Sequence, residues 1–573
     1  MNAFLSSHTL ALTPLSPIHI GCGEDFEPTN YVIEDGLLYG FDPSRAALTE
    51  SQRNKLGDVA RRGSLAGIQR FFRDNAAVFK PHARVVMPVA KGVASQYEKR
   101  LGEAANWESS GRAVFNQLEI ERHVFTGPLQ QPFIPGTSFK GALRTAWLDE
   151  LNGGRNPRDV EYKYNGEAKS TTRMETTLLG GDFQTSPLRL LKVADLMPTR
   201  EPEREVLFAV NRKKRMPKDG EAPPKGVTAR KDCVLYGQYR LFQAGVTLPA
   251  LLAQVGATGD KGKPLTPQRH QLDADGAVDL KRLAQQSNAY HQQRLRRELV
   301  ILDGRGLVNP DWKRGIETLL APGGELDKKL ATGEIFLIRL GRYGGADNKT
   351  LTGDGVASIK IMGARVNGKQ EFSFESTTKT VWLAAQHDTD QKHLVPFGWA
   401  VVEIDPQADC AALKNWCAIQ AIGRQSMASV RLNLQAERQA ALAEKARLTA
   451  QAAARAAAAE DERLAAEARA QALASMTPQA QEREAFCQQC EDWFNQMPPN
   501  GNHKKQAADP GKNGLYQDAL RLVKMALESP DWSAADKASL ADALEQWMPK
   551  VIDRWDGKDQ RKKLGLSKLR NIQ

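Results

Sequence analysis

The segment PFIPGTSFKGALRTAWLDEL brings backbone amides and two cations together in a pattern suited to holding an anion. Its Pro-Gly dipeptide closes an extended stretch and opens a helix, for which Thr137 or Ser138 is the predicted N-cap. Lys140 and Arg144 are four residues apart, so they share one face near the positive end of that helix. Free amides at a helix start beside two cations form an anion site.

Apolar and glycine positions in the same segment define the surroundings of these cations. Phe139, Leu143 and Trp147 recur at every fourth residue and are predicted to pack inward. Gly136 shapes the turn, and Gly141 is expected to leave room where another backbone approaches closely. A turn of this kind also begins many ordinary amphipathic helices, so the segment alone does not establish a binding site.

Two further glycine-rich segments make a shared role in binding more convincing. In PIHIGCG, the predicted strand Ile18 to Ile20 runs into a turn with Gly21 and Gly23. In IRLGRYGG, another predicted strand runs into a second turn. Its candidate RNA-binding residues are Gly341, Arg342, Tyr343, Gly344 and Gly345, followed by Lys349. Glycines permit positive φ and let amides converge on an oxyanion, and a tyrosine ring offers a surface on which a base could stack.

The stretch from about residue 200 to 231 is basic and is predicted to be a loop-like insertion. Its cations are Arg212, Lys213, Lys214 and Arg215, and prolines follow at 217, 223 and 224. Two interpretations remain open, a solvated loop and a finger that contacts RNA.

Catalysis has two candidate residues beside the first glycine turn. His19 is of a residue type that serves as a general base, although a packed or hydrogen-bonding role is the preferred interpretation. Asp25 is the second candidate, but no motif singles it out. Asp35 precedes Gly36 and is explained by a type I′ turn. No catalytic residue is therefore assigned.

Cys487 and Cys490 have the spacing of half a zinc site, and His503 is the nearby candidate for a third ligand. Zinc normally takes four ligands, and both cysteines fall in a predicted helix with aromatic neighbours. Neither a metal nor a cofactor is predicted.

The composition fits a folded protein of several domains with a polyanionic partner. The chain has 573 residues, 79 basic and 68 acidic side chains, and a formal charge of +11. The N-terminus lacks the pattern of a signal peptide, and no apolar run is long enough to span a bilayer. We expect a cytoplasmic protein that is not associated with a membrane.

Short β-rich runs and helical stretches alternate up to about residue 405, which predicts an α+β fold. An Ala-rich stretch at 424–476 is predicted to be one long helix, a spacer or a coiled-coil arm. Residues 478–573 are predicted to form a small all-α domain with a basic end. Three or four helices are expected in that domain, and they are recognisable at Glu484 to Phe494, Leu515 to Leu527 and Ala534 to Val551.

A family resemblance connects these segments. PIHIGCGEDFEPTNYVIEDGLLYGFDP, PFIPGTSFKGALRTAW, IRLGRYGGADNKT, and TTKTVWLAA with PFGWAVVEI together resemble the RAMP proteins of type III CRISPR effectors. The resemblance covers about residues 8 to 405 and is greatest to the family of the fifth Csm subunit. The helices from residue 424 onward have no counterpart in it.

The resemblance implies two tandem ferredoxin-like, RRM-like units, at about 1–200 and 232–405. It also implies a noncatalytic subunit that holds the 3′ part of crRNA, ends the backbone filament, and serves crRNA maturation and antiviral defence. The implied partners are crRNA, other RAMP subunits and the small helical subunit, with target RNA left open. The resemblance also leaves two alternatives open. One is an RNA endonuclease on the same scaffold, with His19 as general base in processing or Asp25 as the residue that cuts bound target RNA. The other is a protein that serves assembly alone.

Overall fold

The structure is a computed structural model with mixed α and β elements, as the sequence predicts. It describes residues 5–107, 113–115, 118–156, 171–179, 186–216, 229–250, 277–353, 355–366, 368–496, 505–506, 514–553, 555 and 558–570. The chain divides into two compact units, Met1–Leu442 and Ala443–Gln573. The boundary falls inside the helix Ala428–Ala474, which matches the predicted long helix.

The first large sheet of the first unit is antiparallel and has the N-terminal strand at its centre. Leu5–Pro14 pairs with Phe242–Pro249 on one side and with Trp399–Ile404 on the other. Ile335–Arg339 forms the far edge, next to Trp399–Ile404. Two short strands, Lys192–Val193 and Met197–Pro198, pair with the other edge.

The second large sheet carries the other half of the β structure. Its strand order is Gly21–Phe26, Ile120–His123, Ala229–Val234, Arg204–Lys213, Thr380–Ala385 and Val395–Pro396. Both large sheets thus combine strands from before residue 200 with strands from after residue 232. The sheets do not follow the predicted division into one unit ending near 200 and another beginning near 232.

Smaller β elements and the helices complete the first unit. The remaining strands are Tyr31–Glu34, Leu37–Phe41 and Ala83–Pro88 in one sheet, and the hairpin pairs Ala104–Trp107 with Ala113–Phe115, Phe125–Thr126 with Gln131–Pro132, and Ile359–Val366 with Lys369–Glu375. The helices are Glu50–Arg61, Leu65–Asp74, Ala76–Phe79, Lys91–Arg100, Gly136–Asn152, Thr171–Leu178, Leu280–Gly304, Pro310–Leu319, Glu325–Thr332 and Ala411–Gln420. Asp35 and Gly36 have φ of 51° and 73° between paired Glu34 and Leu37, which confirms the type I′ turn.

On one side of the first large sheet, the strands Ile335–Arg339 and Trp399–Ile404 are buried on both faces, which explains why they are almost entirely apolar. In Ile335–Arg339, Phe336 and Ile338 belong to the same core cluster as Phe139 and Trp147. Ile335 and Leu337 belong to a second cluster on the opposite face. Alternate side chains of a strand point to opposite faces, so a two-sided core needs a continuous apolar run.

The predicted basic insertion is only partly a loop. Arg204–Lys213 and Ala229–Val234 are adjacent antiparallel strands, so the prediction of a loop over the whole stretch is wrong. The run of apolar residues from 206 to 210, all buried in the core, places the first strand inside the sheet. Residues 217–228, which include the prolines at 217, 223 and 224, lie outside the described residues.

The second unit is helical, as predicted. Its helices after the long one are Pro478–Asn495, Leu515–Glu528, Ala534–Val551, Asp559–Leu564 and Leu566–Arg570. Ser533 and Asp536 form the predicted capping box, with each side chain bonded to the other residue's backbone amide. One core cluster, which includes Leu540, Leu544 and Val551, lies among these helices.

Among the helices of the described segments, none is both long enough and apolar enough to cross a membrane.

Candidate nucleic-acid interface

The three glycine-rich segments predicted from the sequence line one cleft of about 750 Å³ in the first unit, which we call the cleft. Gly21 and Gly23 come from the first segment, Ser138, Gly141 and Arg144 from the second, and Gly341, Arg342, Gly344 and Lys349 from the third. More than 100 residues separate each segment from the next along the chain. Tertiary structure therefore assembles the candidate site.

Close backbone packing brings the first and third segments together. Gly341 has φ of 82°, and a Cβ atom there would lie 2.4 Å from the carbonyl oxygen of His19. A side chain at this position would be strained by its backbone and would also overlap that oxygen. Glycine is therefore required where the strand Ile335–Arg339 leads into the cleft.

The first segment differs from its predicted form. Gly21 and Gly23 belong to the strand Gly21–Phe26, whose register shifts between Gly21 and Asp25 opposite Ile120–His123. The predicted strand at 18–20 is reduced to a single bridge between Ile18 and Val234. The glycines therefore form a bulged edge strand, and the prediction of a turn after a strand is wrong.

The helix of the second segment begins earlier than predicted. It spans Gly136–Asn152 and has Pro135 as its N-cap, so the assignment of Thr137 or Ser138 is wrong. The carboxylate of Asp195 accepts a hydrogen bond from the Gly136 amide at 2.8 Å. Asp195 lies between the strands Lys192–Val193 and Met197–Pro198, far from the helix in sequence. No local sequence signal therefore indicates that its side chain caps the helix. Thr137 and Ser138 are exposed in the first turn.

The two glycines of this segment have opposite surroundings. A Cβ atom at Gly136 would lie 2.7 Å from the carbonyl oxygen of Val193, so the close backbone approach occurs here. At Gly141, where the sequence predicted it, no atom of the described residues outside the helix's own backbone lies within 4 Å of an ideal Cβ. The prediction for Gly141 is wrong for contacts within the chain, because the glycine opens onto the cleft.

Several cations around the cleft are already paired with carboxylates. Arg144 donates to both oxygens of Glu175, with its Nε 2.5 Å from Oε1. This contact raises the pKa of the guanidinium. Arg122 pairs with Glu24 at 3.0 Å and also lies over the ring of Phe125. Arg144 therefore reaches an anionic ligand only in competition with Glu175.

Other cations keep their charge available. Arg342 and Lys349 are exposed, and within the described part of the chain neither forms an ion pair. Lys140 is half-buried, and its pKa is lowered by desolvation and by repulsion from Lys192. Uncompensated positive charge near the cleft is what a phosphate backbone would neutralise.

Tyr343 does not offer a surface for base stacking. It is buried, with its ring 5.2 Å from Phe397 and 5.4 Å from Trp382. Burial raises the pKa of its hydroxyl. The prediction of an exposed stacking ring is wrong, and Tyr343 instead anchors the glycine turn to the core.

A buried polar group lies beneath the cleft. His19 is 2% exposed, and its Nδ1 is 2.8 Å from the carbonyl oxygen of Asp232. Its Nε2 is 3.6 Å from Glu121, which also pairs with the buried Lys231. These two contacts, that of His19 first, lower the pKa of Glu121 to about 2. His19 is thus buried and held through Nδ1, and it also lines the cleft.

An ion pair whose carboxylate is fully buried lies next to His19. Asp232 pairs with Arg204 and also accepts a hydrogen bond from the His123 amide at 3.1 Å. The neighbouring His123 ring is buried as well, which lowers its pKa to about 4. The contacts fix strands Ile120–His123 and Ala229–Val234 in register, and so position Glu121 at the cleft.

The sequence interpretation missed Glu121, Arg122 and Lys231 as residues of this site. They lie on two strands without glycines, and the run of three polar residues after Ile120 was the available signal. The pairing of this strand with Ala229–Val234 is nonlocal, so the sequence pattern does not specify it.

The four basic residues at 212–215 differ in exposure and in their contacts. Arg212 is 3% exposed and donates to the carbonyl oxygens of Asp388 and Asp390, so its proposed contact with RNA is wrong. Lys214 pairs with Asp347, which follows the third glycine segment. Lys213 and Arg215 are exposed.

Acidic and sulfur side chains do not gather into a metal site. Asp25 lines the cleft beside Glu24. Within the described ranges, no three His, Cys, Asp or Glu residues come together as a metal-binding group. Cys490 is buried in the core of the second unit, where burial raises the pKa of its thiol to about 12, and Cys487 lies one turn earlier. His503 lies outside the described residues.

Residues 11–250 match the model of the RAMP superfamily. This part of the chain is a RAMP superfamily domain, and the match contains two of the three cleft segments. A curated relative, the CRISPR system Cms protein Csm5 of Methanocaldococcus jannaschii, is 24% identical to the chain over 187 residues. That match covers 32% of this chain and spans 40% of the relative's length.

Two solved structures are similar to the chain. One is a chain of the Csm-crRNA-target RNA ternary complex of a type III-A CRISPR-Cas system, with a TM-score of 0.41 at 15% identity, over 70% of this chain and 100% of that one. The other is T. onnurineus Csm5, with a TM-score of 0.38 at 14% identity, over 69% of this chain and 99% of that one.

Proposed function

We propose that the chain is a noncatalytic subunit of a type III CRISPR ribonucleoprotein, and that its cleft holds the backbone of crRNA. The observation that carries the proposal is the meeting of three distant glycine-rich segments at one cleft, with Arg342 and Lys349 unpaired among the described residues. The RAMP domain and the likeness to Csm5 support it. Its partners are crRNA, RAMP backbone subunits and a small helical subunit, and contact with target RNA is left open.

The finer assignment concerns position in the complex. The subunit holds the 3′ part of crRNA and ends the backbone filament, in the cytoplasm, and thereby serves crRNA maturation and antiviral defence. This part of the proposal rests on the resemblance of the sequence to the fifth Csm subunit. Crosslinking of the cleft to crRNA in the assembled complex, followed by mapping of the linked nucleotides, would test it: links confined to the 5′ end would refute the placement.

Backbone binding is tested by removal of the available cations. We expect Lys140→Ala, Arg342→Ala and Lys349→Ala together to weaken binding of all RNA sequences alike. Each lost contact on a single strand lowers the slope of log affinity against log salt by about 0.7, so three contacts lower it by about 2. The matched control removes three exposed cations of the same unit, Arg53, Lys55 and Arg62. An equal slope in both triple variants would refute the assignment.

Cleavage of bound RNA is the second candidate function, because Asp25 lines the same cleft as Glu24 and Glu121. A slicer of target RNA would need a divalent metal and would lose its activity in Asp25→Ala. A processing endonuclease would cleave repeat RNA as an isolated chain and would lose activity in His19→Ala. Under the main proposal neither substitution changes the length of any RNA in the assembled complex, which gel analysis would measure.

A further inference from the structure

The end of the second unit carries a concentrated positive charge outside the cleft. Residues 558–570 contain six basic side chains and one acidic side chain. Two short helices, Asp559–Leu564 and Leu566–Arg570, hold these side chains against the core of the unit. Burial and ion pairing divide the six cations into two groups with different roles.

The two arginines are structural. Arg570 pairs with Asp542 at 2.5 Å and with Glu545 at 3.0 Å, and Arg561 lies 3.8 Å from Glu545. These pairs connect the terminal helices to the helix Ala534–Val551. The arginines are therefore partly neutralised and held in place.

The four lysines form the second group, which we call the lysine face: Lys558, Lys562, Lys563 and Lys568. All four are exposed, and within the described residues of this unit none of them forms an ion pair. Elsewhere in the unit, exposed cations such as Arg447 and Arg463 pair with glutamates on their own helix. The four lysines fall within eleven residues, whereas Arg455 and Arg469, which also form no ion pair among the described residues, stand fourteen residues apart on the long helix.

The chemistry of this surface favours a nucleic acid over an acidic protein. Protein interfaces have an apolar centre and are depleted in lysine. Here the apolar residues of both helices, Leu564, Leu566 and Leu569, are buried in the unit's own core. The exposed positions between 558 and 570 carry only polar or charged side chains. Such a surface binds a polyanion through release of counterions, which requires no apolar contact.

We propose that the lysine face binds the phosphates of single-stranded RNA and is a second RNA contact on this chain. The proposal rests on the proposed function, because it assigns the face to the RNA that the cleft holds or to a strand bound beside it. It gives the added helical unit a role in RNA binding that does not depend on base sequence, because lysines act on phosphates as point charges.

The experiment measures binding of a fluorescein-labelled single-stranded RNA to the full chain by fluorescence anisotropy at several salt concentrations. We expect Lys558→Ala, Lys562→Ala, Lys563→Ala and Lys568→Ala together to lower the salt slope by about 3, since four contacts each contribute about 0.7. The loss of affinity between about 50 and 200 mM salt would then be about 50-fold smaller than in the parent chain.

Two matched variants separate charge at this face from charge in general and from folding. The first removes four exposed cations elsewhere in the same unit, Arg455, Arg469, Arg521 and Lys524, and should leave the slope within about 0.7 of the parent. The second replaces the four lysines by arginine, which keeps the charge, and should retain RNA binding. Loss of binding in the arginine variant would show that positive charge at this face does not account for binding and would overturn the proposal, as would parental binding by the alanine variant.

The outcome is distinguishable from failure of the proposed function. If the cleft variant loses RNA affinity and the lysine-face variant does not, this inference fails and the proposed function stands. If only the lysine-face variant loses affinity, the assignment of RNA binding to the cleft fails and RNA binding by the lysine face stands. Polyglutamate serves as the acidic-peptide probe: a lysine-face variant that loses polyglutamate binding but keeps RNA binding would assign the face to an acidic protein and overturn the inference.

Discussion

The pair Arg144–Glu175 leads to a prediction whose sign is unusual for a binding site. Removal of an acidic charge at Glu175, as in Glu175→Gln, should strengthen RNA binding. Arg144 lines the cleft, but both guanidinium contacts go to the Glu175 carboxylate. An amide at this position no longer compensates the arginine, which then becomes available to a phosphate.

The magnitude follows from the exposure of the pair. The Arg144 side chain is 43% exposed and that of Glu175 25%, so solvent screens their attraction and the ion pair contributes only about 0.5 to 1 kcal/mol. Its release should increase RNA affinity about twofold to fivefold. One additional phosphate contact should steepen the salt slope by about 0.7.

The assay is anisotropy of labelled single-stranded RNA at several salt concentrations, with two companions for Glu175→Gln. Arg144→Ala in the same background should abolish the gain. Glu444→Gln, which releases Arg447 from a similar pair in the second unit, controls for the loss of one negative charge. An unchanged or weaker affinity in Glu175→Gln, or a gain that survives Arg144→Ala, would refute the reasoning.

Two further predictions concern stability of the first unit. Gly341→Ala should lower the free energy of unfolding by at least about 2 kcal/mol in denaturant titrations, because its Cβ would overlap the His19 carbonyl. Gly345→Ala, also at positive φ but in open space, should cost about 1 to 2 kcal/mol, and equal losses would contradict the packing argument. Burial lowers the pKa of His123 to about 4 and that of His291 to about 3. Their contribution to stability is therefore complete above pH 6.5 and falls by about 1.4 kcal/mol per pH unit for each ring as pH drops toward 4. A constant free energy of unfolding between pH 7 and 5 would refute this predicted pH dependence.

Local patterns in the sequence were sufficient for most secondary-structure elements. The helix Ala534–Val551 has the predicted bounds, because Ser533 and Asp536 mark its start and an apolar face runs along it. The hairpin at Asp35 and Gly36 follows from a two-residue turn that requires positive φ. Such features depend on residues within a few positions of one another, and a single sequence specifies them.

The errors arise where distant residues determine the outcome. Asp195 caps the helix Gly136–Asn152 from another part of the chain, so Thr137 and Ser138 are not its N-cap. Tyr343 lies in a glycine-rich turn that the sequence pattern predicts to be exposed, yet its ring is buried in the core. Long-range pairing also interleaves the two large sheets, which a division of the sequence into successive units does not anticipate.

The central place of the strand Leu5–Pro14 has a consequence for synthesis of the protein. One neighbour, Phe242–Pro249, is made long after it, and the other, Trp399–Ile404, later still. During synthesis, the N-terminal strand therefore stays unpaired. Its apolar side chains remain exposed to water until nearly the whole first unit has emerged from the ribosome. Truncated nascent chains that end before residue 399 should consequently be bound by chaperones, and extension beyond residue 404 should release them.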